Sequence, residues 1–165
     1  MTKEFRVSVT KLLHRPELIV DIDLVGTIDD MFVSSARVPD GAEVHLVGRL
    51  EAAHPGILFT GNAKVEIITE CRRCLRESGD DINVEIRELY LQDGDEEESY
   101  PLEGEFIDLT EMVRDSIVLA LPAAPLCRPD CKGLCQFCGA NRNDIDCMHD
   151  DDGTDPRFRV LDQLK

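Results

Sequence analysis

Cysteine and histidine dominate the chemistry this sequence could perform. Cys71 and Cys74 are separated by two residues, Cys127, Cys131 and Cys135 by three each, Cys135 and Cys138 by two, and Cys147 and His149 by one. Structural zinc takes four thiolate or imidazole ligands in a tetrahedron, and short spacings let one tight turn present two of them to the same ion. The seven cysteines and this one close histidine make eight donors, the complement of two closed zinc sites. Buried free thiols pack as small hydrophobes and would be scattered rather than clustered. Soft thiolates select zinc, although spacing alone also admits an iron–sulfur cluster.

The donors divide in more than one way. Proximity puts Cys135, Cys138, Cys147 and His149 on one ion and leaves Cys71, Cys74, Cys127 and Cys131 for another; the rival division takes Cys127, Cys131, Cys135 and Cys138 together. The first is preferred because its second group closes a long-range crosslink, from which a small, aromatic-poor domain gains most. Gly133 and Gly139 supply the backbone freedom that lets amides point at sulfur. With both tetrahedra filled, no position is open for a catalytic water. Asp144, Asp146, Asp150, Asp151 and Asp152 crowd the second group but read as solvated loop. The sequence has no phosphate-cradling loop, nucleophile elbow or dinucleotide fingerprint, so a non-enzymatic protein is expected.

The elements that position these residues follow from composition and periodicity. A chain of 165 residues, 42% apolar, with no Trp and 5% aromatics, is long enough for one domain whose core rests on Val, Ile and Leu, which favours strands. Partial alternation over 5–24 predicts two short strands around a brief turn or helix. Residues 42–51 and 57–69 form the clearest hairpin pair, with a turn over 52–56, and 82–91 add a further strand. Cys71 and Cys74 then lie at a strand-to-strand bend. The acidic stretch 93–105 reads as a solvated loop. Asp108 and Glu111 suggest a capping box for a helix near 109–121 that Pro122 ends, and Asp155-Pro156 begins a short closing helix. The expected fold is α+β and β-rich: a mainly antiparallel sheet, with a split barrel as one form of it, one central helix, a zinc knuckle region and a short C-terminal helix. The core spans 1–126, and the knuckle and closing helix, 127–165, pack on the same domain.

Charge narrows the function classes. Thirty-four acidic against 18 basic side chains give a formal −16, which excludes a protein that coats nucleic acid through its whole-surface field; any RNA contact must be local. No cationic start with an apolar run is present, and no stretch approaches the roughly 18 apolar residues of a membrane span, so a cytoplasmic protein with no membrane partner is expected. A reducing cytosol also argues against disulfides.

Glu70-Cys71-Arg72-Arg73-Cys74-Leu75 with a following acidic loop, Leu119-Ala120-Leu121-Pro122, Cys131-Lys132-Gly133-Leu134-Cys135, Cys138-Gly139-Ala140-Asn141-Arg142-Asn143 and Asp155-Pro156-Arg157-Phe158 resemble, in order and distance, the YceD family. The resemblance covers nearly the whole chain and implies a role in accumulation of large-subunit ribosomal RNA, with ribosomal RNA or a large-subunit ribosomal protein or precursor as partner. Members of the family commonly carry a cysteine where this chain has His149, and an imidazole can replace a thiolate on zinc.

If one zinc joins Cys71, Cys74, Cys127 and Cys131, then Arg72, Arg73, Arg76, Arg128 and Lys132 share one neighbourhood of an acidic protein. They could hold RNA phosphates there, or merely offset thiolate charge. The alternative function is an adaptor that docks a basic ribosomal protein through its acidic face without touching RNA.

Overall fold

The computed structural model of the chain describes residues 4–92 and 99–149. Its elements are β1 (Arg6–Ser8), α1 (Thr10–His14), β2 (Ile19–Thr27), β3 (Phe32–Val33), β4 (Ala36–Arg37), β5 (Glu43–Ala53), β6 (Gly56–Glu70), β7 (Glu77–Leu91), β8 (Tyr100–Pro101), β9 (Phe106–Asp108) and α2 (Thr110–Ala120).

The longest strand organises the sheet. β6 pairs antiparallel with β5 along 56–64 and with β4 at Ile68 and Thr69, while its opposite edge pairs with β7 from Ile57 to Glu70. β2 extends the sheet beyond β5, β8 joins β7 in parallel, and β1 with β9 forms a separate two-stranded sheet. No closed barrel forms among the described residues.

Alternation decides which face is inside. Val44, Leu46 and Leu50 on β5 and Ile57, Phe59, Ala63, Val65 and Ile67 on β6 are buried, whereas Glu43, His45, Arg49, Lys64 and Glu66 face water. Met112, Val113 and Ile117, spaced to share one side of α2, join the same core. At its centre Gly48 and Gly61 are register partners. A Cβ on Gly61 would lie 2.3 Å from the Val47 carbonyl oxygen, and the ring of Phe59 covers both glycines.

The expected hairpin is present with longer arms and a tighter turn at His54 and Pro55. β7 begins at Glu77, earlier than Ile82, because its polar first residues are ordered by the register with β6 rather than by burial. The acidic loop is shorter than expected. Residues 93–98 lie outside the described residues, but Tyr100 and Pro101 form β8, the Tyr100 ring packs 5.6 Å from that of Tyr90, and Leu102 is buried. The Asp108 carboxylate accepts the Thr110 N–H at 2.9 Å at the start of α2, and extended Leu121, preceding Pro122, ends it. The closing helix expected from Asp155-Pro156 lies outside the described residues.

Candidate metal centres

The bend between β6 and β7 carries Cys71 and Cys74 and is pinned by the pair Glu70 and Glu77. Within it the Cys71 N–H donates to the Arg76 carbonyl at 3.0 Å and the Leu75 N–H to the Cys71 carbonyl at 2.8 Å, with Leu75 left-handed at φ 58. The same turn recurs at Cys135 and Cys138. The Cys135 N–H donates to the Ala140 carbonyl at 2.8 Å, the Gly139 N–H to the Cys135 carbonyl at 2.8 Å, and Gly139 has φ 72. The spacing of two residues thus encodes one knuckle twice.

After α2 the chain is led to the first knuckle by hydrogen bonds. Ser35 donates its hydroxyl to the Pro122 carbonyl at 2.9 Å, and the Arg72 N–H donates to the Pro125 carbonyl at 3.0 Å, which delivers Cys127 and Cys131. The second knuckle is tied to the first by Arg73, whose carbonyl accepts the Leu134 N–H at 3.0 Å and whose Nη1 donates to the Cys131 carbonyl at 2.9 Å. Asn143 links the segments further. Its Nδ2 lies 3.3 Å from Cys131 Sγ, and its Oδ1 accepts the Lys132 N–H at 2.9 Å and Arg128 Nη2 at 2.8 Å. Asn141 Oδ1 in turn accepts from the Asn143 N–H and Nδ2.

Two groups of donors result: Cys71, Cys74, Cys127 and Cys131, and Cys135, Cys138, Cys147 and His149, with the donor atoms of each all within 4.8 Å of one another. Cys71 Sγ to Cys131 Sγ is 3.7 Å, Cys74 Sγ to Cys127 Sγ 3.6 Å and Cys135 Sγ to His149 Nδ1 3.6 Å. Those separations are too long for a disulfide bond of ~2.05 Å. They match the edge of ~3.8 Å between thiolates, and ~3.5 Å between thiolate and imidazole, of a tetrahedron with metal–sulfur bonds of ~2.3 Å. Both groups could hold a metal ion. Their surroundings differ: Cys71, Cys74 and Cys131 form a small buried cluster packed by Leu126, whereas Cys138 and His149 are exposed.

Backbone amides prepare the sulfurs. The Cys127 backbone N–H, followed by those of Cys74 and Arg73, holds the Cys71 thiol down to about 6, and the N–H groups of Cys138 and Phe137 do the same for Cys135. Burial pushes Cys131 up, but the Asn143 side chain and the Gly133 N–H outweigh it and lower the thiol. Burial, reinforced by Cys74, pushes Cys127 up to about 12, so without a cation the first group does not hold four thiolates.

The basic residues singled out from the sequence flank the first group with different freedom. Arg76 pairs with Asp144, Arg128 bonds Asn143 and lies 3.4 Å from Asp130, and Arg73 is engaged with the Cys131 carbonyl. Arg72 and Lys132 extend exposed side chains that have no partner among the described residues. Sequence reasoning passed over Asn141 and Asn143 as positioning residues. An amide donor inside a cysteine-rich segment was the available signal, since thiolates collect N–H groups.

The sequence model of the large ribosomal RNA subunit accumulation protein YceD family matches residues 59–165, and the chain belongs to that family. An uncharacterized protein of Mycobacterium tuberculosis is 30% identical over 96% of this chain and 80% of its own length, and one of Mycobacterium leprae is 27% identical over 95% and 76%. The large ribosomal RNA subunit accumulation protein YCED homolog 1, chloroplastic, of Zea mays is 41% identical over 31% of this chain and 17% of its own. No solved structure matches the chain. No helix among the described residues is long and apolar enough to cross a membrane.

Proposed function

We propose that this is a non-enzymatic, cytoplasmic zinc protein that supports accumulation of large-subunit ribosomal RNA, with two closed structural zinc sites organising a small RNA-contacting surface. The observation that carries the metal reading is the pair of four-donor groups with tetrahedral edge lengths. A four-iron cluster would put its thiolates on four different irons, farther apart than one ion requires, so the compactness of both groups favours zinc. The role in ribosomal RNA accumulation is supported by family membership.

The first zinc crosslinks the bend between β6 and β7, which carries Arg72, to the segment after α2, which carries Lys132. Of the five basic residues at this centre, Arg73, Arg76 and Arg128 are positioning residues that brace the knuckles, and Arg72 and Lys132 meet phosphate. A local pair of cations in a chain of net −16 binds RNA where shape brings phosphates to it and repels RNA elsewhere. Salt titration of binding to a large-subunit ribosomal RNA transcript tests this. The double variant Arg72→Glu and Lys132→Glu should weaken binding and flatten the salt slope by about 2. Unchanged affinity and slope contradict the assignment and favour the adaptor reading.

A further inference from the structure

Away from the metal centres, an open groove of about 660 Å³ lies between the loop preceding β3 and the outer side of α2. Its apolar part is exposed: Leu119 is 86% and Phe32 65% accessible, and Val118, also in the lining, is half-buried. A leucine and a phenylalanine exposed together in one concavity form an apolar patch that a partner's side chain can cover. Tyr100 forms one wall, and its hydroxyl donates to Asp115 Oδ2 at 3.2 Å.

Carboxylates outnumber cations in the lining of this groove, Asp30 and Asp115 against Arg114. Burial pushes the Tyr100 phenol up to about 12, and the hydrogen-bonded Asp115 carboxylate adds to the effect. Asp30 adds another acidic group to the lining. The facing cation, Arg114, has its Nη2 3.5 Å from the Asp30 carbonyl.

We propose that this groove docks a basic protein segment bearing a large aliphatic side chain, the apolar anchor seating against Phe32 and Leu119 while lysines or arginines meet Asp30 and Asp115. Charge complementarity selects this occupant. RNA is repelled by the same carboxylates, and a second copy of the chain brings the same net −16. The segment is an extended or helical stretch of the cationic type that accompanies RNA-binding proteins. The assignment involves no metal ligand and goes beyond the RNA contact proposed at the knuckles.

Fluorescence anisotropy on the full-length, metal-loaded protein tests it, with three labelled 15-residue probes: a lysine-rich peptide with leucines at helical spacing, the same peptide with serine for leucine, and its glutamate-rich counterpart. The proposal expects binding of the lysine–leucine peptide alone, weakened at least tenfold by Leu119→Ser and by Phe32→Ser, with the melting curve and RNA binding of both variants unchanged. Equal binding of the serine peptide, or equal affinity of the variants, overturns the groove as the site. Concentration-dependent dimerisation abolished by Leu119→Ser makes the occupant a second copy and overturns it too. Loss of RNA binding alone, on Arg72→Glu with Lys132→Glu, leaves peptide binding intact.

Discussion

Leu75 and Gly139 occupy the same place in two copies of one turn. Both are left-handed, at φ 58 and 72, and both donate their N–H to the carbonyl of the cysteine four residues earlier at 2.8 Å. Glycine takes that conformation without cost, while an L residue with a side chain strains by ~1–2 kcal/mol.

Leu75→Gly should therefore be neutral or stabilising by up to about 1 kcal/mol, since the side chain it removes is more than half exposed. Gly139→Val should destabilise the second knuckle by about 2 kcal/mol and speed its metal release. Thermal melts with a chelator challenge check both; a clear loss on Leu75→Gly together with none on Gly139→Val would show that the turns are not equivalent.

Asn143→Leu should weaken the first centre although Asn143 is not a ligand. It removes the amide donor to Cys131 and the acceptor of Lys132 and Arg128, a loss of about 2–3 kcal/mol. The readout is faster metal transfer from the first site to a chromogenic chelator with stoichiometry unchanged.

Gly61→Val should destabilise by about 3 kcal/mol or more. Its side chain would enter the space between the Val47 carbonyl and Gly48 Cα, which Cβ would approach to 2.3 and 2.6 Å. Chemical denaturation measures the change; a loss under about 1 kcal/mol would mean that β5 and β6 are not so close.

Acidification should release metal. Cys71 and Cys135 are held at about 6, below an ordinary 9.0. A group with depressed folded pKa contributes fully above its unfolded value and loses that contribution as pH falls through the folded one. Protons and metal compete for the same sulfurs: Cys127, pushed up to about 12, must give up its proton throughout the neutral range, so affinity in chelator competition should decline as pH falls and fall more steeply below about 6, where Cys71 and Cys135 also protonate. The exposed second centre should empty first.

Much of this was legible in the sequence, because ligand spacing and strand alternation are local signals. Cys71 with Cys74 and Cys135 with Cys138 define their turns by themselves, and the hairpin of β5 and β6 follows from period-two burial. What joins Cys71 to Cys131 across the chain is set by hydrogen bonds such as Arg72 N–H to the Pro125 carbonyl, which leave no mark in residue pattern. β3, β4 and β8 span two residues each, too short for periodicity, and the polar start of β7 is ordered by its neighbour. The engagement of Arg76 by Asp144 likewise required the two knuckles to be seen side by side.

Metal content by mass spectrometry, on protein purified without added metal, tests the central claim most directly. The account predicts two zinc ions per chain, falling to one in Cys138→Ser with the fold retained, and to one or none in Cys74→Ser with loss of cooperative unfolding. Protein folded without metal, or carrying iron with sulfide, would contradict it.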